Sequence, residues 1–322
     1  MRRFRPALAA GLLLAAIFPA VAQNFPDRPI RLIVPYGTGG ITDIAARIVA
    51  PAMSDQLGQQ VFVDNRAGGA GMVGFAATAN AAADGYTLVL ATTALAANPI
   101  LFKSIPYDAI KSFTPVGLVG VVPMVAVVPA SSAAKSLKDL VEIARMRSSE
   151  TNYGSAGNGS DNHLTAEYFN HLAGIKVTHV PYRGGGQVMT DLVAGRLSYV
   201  FATMPTALPF ITDGRLRALA TTGQERSAAL PDVPTVAETM LPNFSLYAWL
   251  GLFGPANLPA HVRDRLNKAM VAALGHPDTV ERLQKIGLQI KSSTPDELGV
   301  HLGRELGRWA ELARHVKIEV TE

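Results

Sequence analysis

Two glycine-rich stretches with nearly the same sequence carry residue types that can bind an anion. One reads VPYGTGG at Val34–Gly40, and the other reads VPYRGGG at Val180–Gly186. Each follows a short apolar run and precedes a helical pattern, as strand-to-helix loops do. Glycine lets a ligand approach the backbone closely, and the helix that follows adds its positive N-terminal dipole. The pair predicts either two tight turns or two halves of one anion site.

A third stretch offers similar chemistry. NYGSAGNGSDNH, at Asn152–His163, also ends a strand pattern and opens a helix. Its serine and asparagine side chains are hydrogen-bond donors, and its glycines expose backbone N–H groups. These features favour a cradle for a carboxylate. Alternatively, Ser160 and Asp161 cap the following helix.

Motifs of other functional classes are weak or missing. DNRAGGAGMVG, at Asp64–Gly74, matches the spacing of the dinucleotide fingerprint. It follows the second predicted strand, however, and no acidic residue about 20 positions on marks a ribose site. The sequence has no G-x-S-x-G elbow, no Walker A loop and no H-E-x-x-H motif. Its scattered histidines show no metal-ligand spacing. We therefore expect no catalytic residue, no metal and no cofactor.

The first residues predict export. Three arginines precede the apolar stretch Ala7–Phe18, which is too short to span a bilayer, and Ala20–Ala22 has the small-residue pattern of a cleavage site. We expect a signal peptide over residues 1–22, cleaved after Ala22, and a periplasmic location. The sequence contains no cysteine, which excludes a disulfide framework and a lipid-bearing thiol.

Charge argues against nucleic-acid binding. Removing the three leader arginines from 29 basic residues leaves 26, against 25 acidic residues. A nearly neutral chain lacks the basic stripe that nucleic acids require. The remaining length, about 300 residues, is enough for a large core and usually divides into two domains.

Strand and helix patterns alternate in two series. Two long apolar segments, Val116–Val128 and Phe244–Phe253, separate the series. Continuous apolar strands between helices indicate largely parallel sheets covered on both faces. The strand patterns are Ile30–Val34, Val61–Val63, Tyr86–Ala91, Asn152–Gly154, Lys176–Val180, Leu197–Phe201, Leu216–Thr221 and Leu288–Ile290. The helical patterns are Thr42–Leu57, Met72–Ala83, Ser136–Arg147, Asp161–Ala173, Gly186–Ala194, Ala260–Leu274 and Pro295–Val316.

This order predicts an α/β protein of two domains joined by two crossover strands. We place the first domain at residues 23–122 plus 247–322 and the second at residues 123–246. Ser136 and Asp139 form a capping signal at the start of the second series. Pro51 lies inside the first helical pattern, and we expect a kink or a break there.

Several longer blocks together carry a family resemblance. The chain resembles the periplasmic solute-binding proteins of tripartite tricarboxylate transporters, the Bug or TctC-like family, over essentially the whole of the chain that follows the predicted signal peptide. Among the blocks are PDRPIRLIVPYGTGGITDIAAR, GQQVFVDNRAGGAGMVG, YGSAGNGSDNHLTAEYF, VPYRGGGQVMTDLVAGRL and WLGLFGPANLPAHV. The resemblance implies a periplasmic-binding-protein-like fold, a Venus flytrap in which two α/β domains close on a small carboxylate. It also implies a membrane permease as partner.

The resemblance also implies a set of ligand-binding residues in the strand-to-helix loops of both domains. The first domain contributes Tyr36, Gly39, Gly40, Thr42, Asp43, Asn65 and Thr92. The second contributes Ser155, Asn158, Gly159, Ser160, Tyr182, Gly184, Gly185, Ala202 and Thr203. Tyr36 and Tyr182 should then lie on opposite walls of one pocket.

Three departures from the family pattern bear on specificity. Gly37-Thr38 stands where relatives often carry Ala or Ser and Pro. Ala202-Thr203 stands where many relatives have an acidic residue followed by Asn, which predicts a less polar distal pocket. Arg183 occupies a position that is often Lys, and we do not expect it to bind the carboxylate.

The expected function is capture of a small organic acid by a monomeric receptor and its delivery to the transporter. One alternative is a sensory partner that hands its ligand-loaded form to a membrane receptor. Another is a secreted enzyme on the same scaffold. An enzyme would need a paired nucleophile and base across the cleft, and the sequence shows none.

Overall fold

A computed structural model describes residues 25–182 and 185–315 of the chain. The predicted signal peptide and its cleavage site lie outside the described residues, and so do Arg183 and Gly184. Over the described ranges, no helix is both long enough and apolar enough to cross a membrane.

Ten strands and eleven helices follow one another along the described chain. The strands are β1 (Ile30–Val34), β2 (Val61–Asn65), β3 (Thr87–Ala91), β4 (Phe113–Pro129), β5 (Asn152–Ser155), β6 (Thr178–Pro181), β7 (Val200–Thr203), β8 (Leu216–Thr221), β9 (Tyr247–Pro255) and β10 (Gln289–Ile290). The helices are α1 (Ile41–Leu57), α2 (Met72–Ala79), α3 (Ala94–Leu101), α4 (Leu137–Met146), α5 (Asp161–Ala173), α6 (Gly185–Val193), α7 (Met204–Thr212), α8 (Val236–Thr239), α9 (Ala260–Gly275), α10 (Pro277–Lys285) and α11 (Pro295–His315).

The main sheet is mixed and has the strand order β10-β4-β9-β3-β1-β2. β1 pairs in parallel with β2 and β3, as the alternating pattern predicts. β9 pairs antiparallel with both β3 and β4, and β10 pairs antiparallel with β4. The sheet is therefore less parallel than expected, because the two long apolar segments enter it as strands that run in opposite directions.

β4 links two sets of strands. Its first part, up to Pro123, pairs with β9, and its last part, from Met124 to Pro129, pairs with β7 and β8. β5 and β6 form a separate parallel pair, connected to the β7 neighbourhood by a bridge between Tyr153 and Tyr199. This pairing is the arrangement expected of a crossover strand. The domain division at residues 122/123 and 246/247 stays a prediction.

Local sequence signals account for most of the helix starts. Ser136 caps α4 in a reciprocal capping box with Asp139, as predicted. Pro51 does not break α1, which runs to Leu57 and ends at Gly58 in the left-handed conformation. The buried side chains around it, Ala50 and Met53 among them, pack on the core. Their burial offsets the roughly 3 kcal/mol cost of an interior proline.

Several short helices escaped the sequence patterns, α3 and α10 among them, and α2 was predicted too long. α3 is almost wholly apolar, so it shows no amphipathic period, and it also contains Pro99. α10 begins at Pro277, directly after α9, and lies beyond the predicted helical pattern, which ends at Leu274. α2 ends at Ala79, and the predicted extension to Ala83 is wrong.

Candidate functional site

The loop after β1 is held in shape by hydrogen bonds from neighbouring loops. The Tyr36 hydroxyl lies 2.8 Å from Thr92 Oγ1, at the end of β3. The Tyr36 carbonyl accepts a hydrogen bond of 3.1 Å from Asn65 Nδ2, at the end of β2. Burial, followed by the negative charge of Asp161, raises the pKa of Tyr36 above its ordinary value. The hydroxyl is therefore a neutral donor or acceptor at any physiological pH.

Asp43 closes the glycine turn from within the first turn of α1. Its carboxylate accepts hydrogen bonds from the Gly39 N–H (3.0 Å), Arg47 Nε (3.0 Å) and Asn65 Nδ2 (2.9 Å). Burial works against ionisation, but these three donors together lower the pKa of Asp43 below its ordinary value. Asp43 and Asn65 therefore position the loop, because their polar atoms bond to other groups of the protein.

The start of α1 is open to an anion. Its N-cap residue is Gly40, which makes no side-chain cap, and Gly39 has a φ of 84°. The first N–H groups of a helix lack intrahelical acceptors, and the helix dipole adds partial positive charge there. Thr42 lies in this first turn and is buried. Thr42 does not cap the helix, because the chain enters α1 at Gly40.

The loop between β5 and α5 is built on two serines. Ser155 Oγ lies 2.6 Å from His179 Nε2, and it also accepts the Gly157 N–H at 3.1 Å. Ser160 is the N-cap of α5, and its hydroxyl donates to the Gly157 carbonyl at 2.6 Å. Asn158 lies between them, half-buried, within a loop whose turns depend on Gly157 (φ 117°) and Gly159 (φ 75°). The alternative role for Ser160, a helix cap, is confirmed.

Three stacked rings, those of Tyr153, His163 and His179, contact this loop. The His163 and His179 rings lie 4.3 Å apart, and Tyr153 stacks on His179 at 4.8 Å. His163 Nδ1 accepts the Gly159 N–H at 3.2 Å. Burial lowers the pKa of His163 to about 3 and that of His179 to about 4. Both rings are neutral at pH 7 and fix the loop as hydrogen-bond partners.

Ser155 and His179 are a serine–histidine contact that the sequence did not reveal, because the two residues lie on neighbouring strands. The Ser155 side chain is fully buried, and its hydroxyl contacts both the N–H and the carbonyl of Gly157. These contacts occupy the oxygen within its own loop. The pair lies within β5 and β6 and does not bridge two sets of loops.

The loops after β6 and β7 complete the second group of predicted residues. The Tyr182 N–H donates to the Ser155 carbonyl at 2.9 Å, and its hydroxyl donates to Asp191 at 2.7 Å. Gly185 begins α6. Ala202 is buried at the end of β7, and Thr203 lies at the start of α7, where its hydroxyl contacts that of Thr206. Gly184 lies outside the described residues.

The loops after β1, β2 and β3 form a first group, and the loops after β5, β6 and β7 form a second group. The two groups of loops approach each other at Gly159 and Asp161. A Cβ added to Gly159 would lie 3.3 Å from the Ala70 Cβ and 3.5 Å from Asn98 Oδ1. Asp161 lies close enough to Tyr36 to raise the pKa of its hydroxyl. The loop after β5 therefore faces the loops after β1, β2 and β3. The predicted positions of Tyr36 and Tyr182 on opposite walls stay a prediction.

Sequence patterns missed four polar residues beside this contact, Asp161, Thr93, Asn98 and Glu305. The sequence pattern predicts only a helix-capping role for Asp161, although its carboxyl faces Thr93 at the start of α3. Asn98 lies on α3, a helix that the patterns did not detect. Glu305 lies on α11 and is only 4% exposed. A buried acid inside a helical pattern was the one available signal for Glu305.

Comparison with known proteins identifies the family and the fold of the chain. The family model described as "Tripartite tricarboxylate transporter family receptor" matches residues 45–317. The solved structure of the periplasmic binding protein BugD is 30% identical, with a TM-score of 0.85, and the match covers 92% of this chain and 99% of that one.

Two further solved structures contain ligands. An R. palustris protein solved with adipate is 32% identical, with a TM-score of 0.85, covering 90% of this chain and 98% of that one. MatC from Rhodopseudomonas palustris, with bound malate, is 30% identical, with a TM-score of 0.83, covering 92% and 100%. Proteins of this family are solute-binding receptors and not enzymes. The chain has their α/β periplasmic-binding-protein fold, and it belongs to the tripartite tricarboxylate transporter receptor family.

Proposed function

We propose that this protein binds a small organic acid between the two groups of loops and delivers it to a tripartite tricarboxylate transporter. The observation that carries the proposal is the start of α1. Gly40 leaves the helix without a side-chain cap, directly after a loop that Asp43 holds in place. Backbone N–H groups and the helix dipole at this point favour a carboxylate. The relatives solved with adipate and malate support the same ligand class.

Both groups of loops take part in the proposed site. The residues are those predicted from the family pattern, with two roles. Tyr36, Gly39, Gly40, Thr42, Thr92, Asn158, Gly159, Ser160, Tyr182, Gly184, Gly185, Ala202 and Thr203 line the site. Ser155 positions the loop after β5, because its hydroxyl is engaged with His179 and Gly157. Asp43 and Asn65 position the first loop, because their polar atoms are engaged with Gly39, Tyr36 and Arg47. A ligand that contacts both groups stabilises the closed form through its higher affinity for that form.

The proposal also covers the delivery of the ligand and the location of the protein. The receptor acts as an exported monomer, cleaved after Ala22, and presents its closed form to membrane permease subunits. N-terminal sequencing of protein isolated from the periplasm tests the cleavage site. A chain that still begins at Met1 would contradict it.

Isothermal titration calorimetry with a panel of mono- and dicarboxylates tests the binding step. We expect saturable binding of at least one acid, and loss of that binding in Gly40→Asp, which places a carboxylate at the N-cap, where it competes with the ligand for the first N–H groups of α1. Gly275→Asp, at the distant end of α9, adds the same charge away from the site and serves as the control. Failure of every acid in the panel to bind would contradict the proposal.

Uptake requires the permease subunits as partner, whereas sensing requires a membrane receptor. In a strain that lacks the permease subunits, uptake of the bound acid should stop, while sensing would persist. We favour uptake because the family model is that of a transporter receptor.

A further inference from the structure

Asp161 brings a carboxyl group to the place where the two groups of loops meet. It is the first residue of α5, directly after the N-cap Ser160. Its carboxyl faces the Thr93 hydroxyl at the start of α3, and its charge acts on Tyr36. One acidic side chain of the second group thus lies against the first group, beside the proposed carboxylate site.

Among the described residues, the groups that act on Asp161 include a second acid, Glu305, and no cation. Burial raises the pKa of Asp161 to about 6, the Thr93 hydroxyl offsets part of the rise, and the Glu305 carboxylate adds to it. Thr93 Oγ1 nevertheless does not reach the geometry of a full hydrogen bond. A carboxylate buried without a counter-charge is costly, and a positively charged partner would remove that cost.

Unpartnered acceptors on the facing helix indicate the same kind of partner. Asn98 is fully buried, and its Nδ2 donates to the Ala70 carbonyl and to the Tyr107 hydroxyl, each at 3.0 Å. Its Oδ1 has no hydrogen-bond partner in the described part of the chain, and it faces Gly159 of the opposite loop. A buried acceptor of this kind requires a donor.

Glu305, the second acid that acts on Asp161, lies on α11. Its Oε1 pairs with Arg308 at 3.1 Å, while its Oε2 has no hydrogen-bond partner among the described residues. Burial raises the pKa of Glu305, although Arg308 and the indole N–H groups of Trp249 and Trp309 oppose the rise. Glu305 thus has donors of its own, whereas Asp161 and Asn98 present oxygen acceptors, and the ligand group that suits those two is a donor with positive charge.

We propose that Asp161 is a specificity-determining residue that selects an acid carrying an ammonium group, that is, an amino acid, over a plain dicarboxylate. The inference rests on the proposed function: the ligand carboxylate lies at the start of α1, and the ammonium group points toward Asp161. An ammonium group offers three donors and forms charge-assisted hydrogen bonds with a carboxylate. A second carboxylate in the same place would meet Asp161 and Glu305 as like charges.

Calorimetry at pH 7.5 with matched acids tests the inference. L-Aspartate, L-malate and succinate differ only in an amino group, a hydroxyl or a hydrogen, and L-2-aminoadipate and adipate form a longer pair. We expect the amino member to bind at least tenfold more tightly than its plain counterpart. In Asp161→Asn, which keeps the shape and removes the charge, that preference should fall at least tenfold. Asp232→Asn, an exposed loop substitution, should leave it unchanged.

The outcomes separate this inference from the proposed function. Equal binding of amino and plain acids overturns the inference and leaves the proposed function standing. So does malate binding as tightly as aspartate, or a preference that survives in Asp161→Asn. Absence of binding by every acid in the panel overturns the proposed function, and the inference with it. Thermal melting of each variant confirms that it is folded before titration.

Discussion

At the scale of single residues, Asp161 makes a prediction about stability as well as binding. Because the pKa of Asp161 is raised to about 6, its ionisation opposes folding: the cost is absent below pH 3.8 and grows as pH rises toward 6. Asp161→Asn should therefore raise the free energy of unfolding at pH 7.5 by about 1–2 kcal/mol, allowing for its partial exposure. The gain over the wild type should disappear near pH 3.5. Urea unfolding at the two pH values measures both, and an equal gain at both would contradict the assigned cause.

The residue types in the glycine-rich loops could be predicted from the sequence. Which of them face a ligand and which bond to their own loop could not. The donors of Ser155 and Asn65 were visible as chemistry next to strand ends. Whether a donor faces a ligand or its own loop depends on long-range partners such as His179 and Tyr36. Asp161 shows the same limit, because its significance comes from Thr93, which precedes a helix without amphipathic period.

At the scale of elements, the loop between β5 and α5 is predicted to need the glycine at position 159, where it approaches Ala70. Gly159→Ala introduces a Cβ 3.3 Å from Ala70, in addition to the backbone strain of a positive φ. Gly174→Ala, at the end of α5, carries the same strain with no atom within 4 Å of the added Cβ. Both should lose about 1 kcal/mol of stability.

Only the Gly159 variant should also bind its acid more weakly, by about tenfold, because its loop faces the opposite group of loops. Calorimetry of both variants with the tightest acid of the panel makes the comparison. Equal affinity in the two variants would show that the approach of Gly159 to Ala70 has no part in binding.

The histidine stack beneath the same loop predicts an acid-labile element. Since the pKa of His179 is lowered to about 4, the stability it confers is present above pH 6.5 and is lost as pH falls from 6.5 toward 4. His179→Gln keeps an amide for Ser155 and removes the titration. Its unfolding free energy should fall less steeply than that of the wild type over this range, by roughly 2–3 kcal/mol in total.

An exposed histidine supplies the control for this comparison. His261→Gln, on the outer face of α9, should follow the wild-type pH profile in chemical unfolding. If the unfolding free energy of His179→Gln has the same pH dependence as that of the wild type and of His261→Gln, protonation of His179 does not destabilise the protein.

Element boundaries followed the sequence wherever a local signal existed, as at the capping box of α4 and the left-handed Gly58 after α1. Strands β1 and β8 begin and end where their apolar runs do. The antiparallel direction of β9 was not encoded locally. It follows from the return of the chain past β4, a property of topology.

At the scale of the whole molecule, the pairing of β4 with two sets of strands suggests how the protein moves. β4 pairs with β9 up to Pro123 and then with β7 and β8. A second contact between the proposed domains lies at Gly287, where an added Cβ would be 2.6 Å from Met204 Cβ. Backbone changes confined to the strand junction would let the two groups of loops part while each set of strands stays intact.

Ligand binding should therefore make the molecule more compact and more stable together. With an acid at 100 times its Kd, the free energy of unfolding should rise by about 2.7 kcal/mol, because the ligand binds the folded form alone. The radius of gyration from small-angle scattering should fall over the same concentration range, since closure and binding are one equilibrium. Asp232→Asn should reproduce both changes. Binding that stabilises the protein without compaction would contradict closure about the β4 junction and leave a receptor whose two groups of loops are already in their bound arrangement.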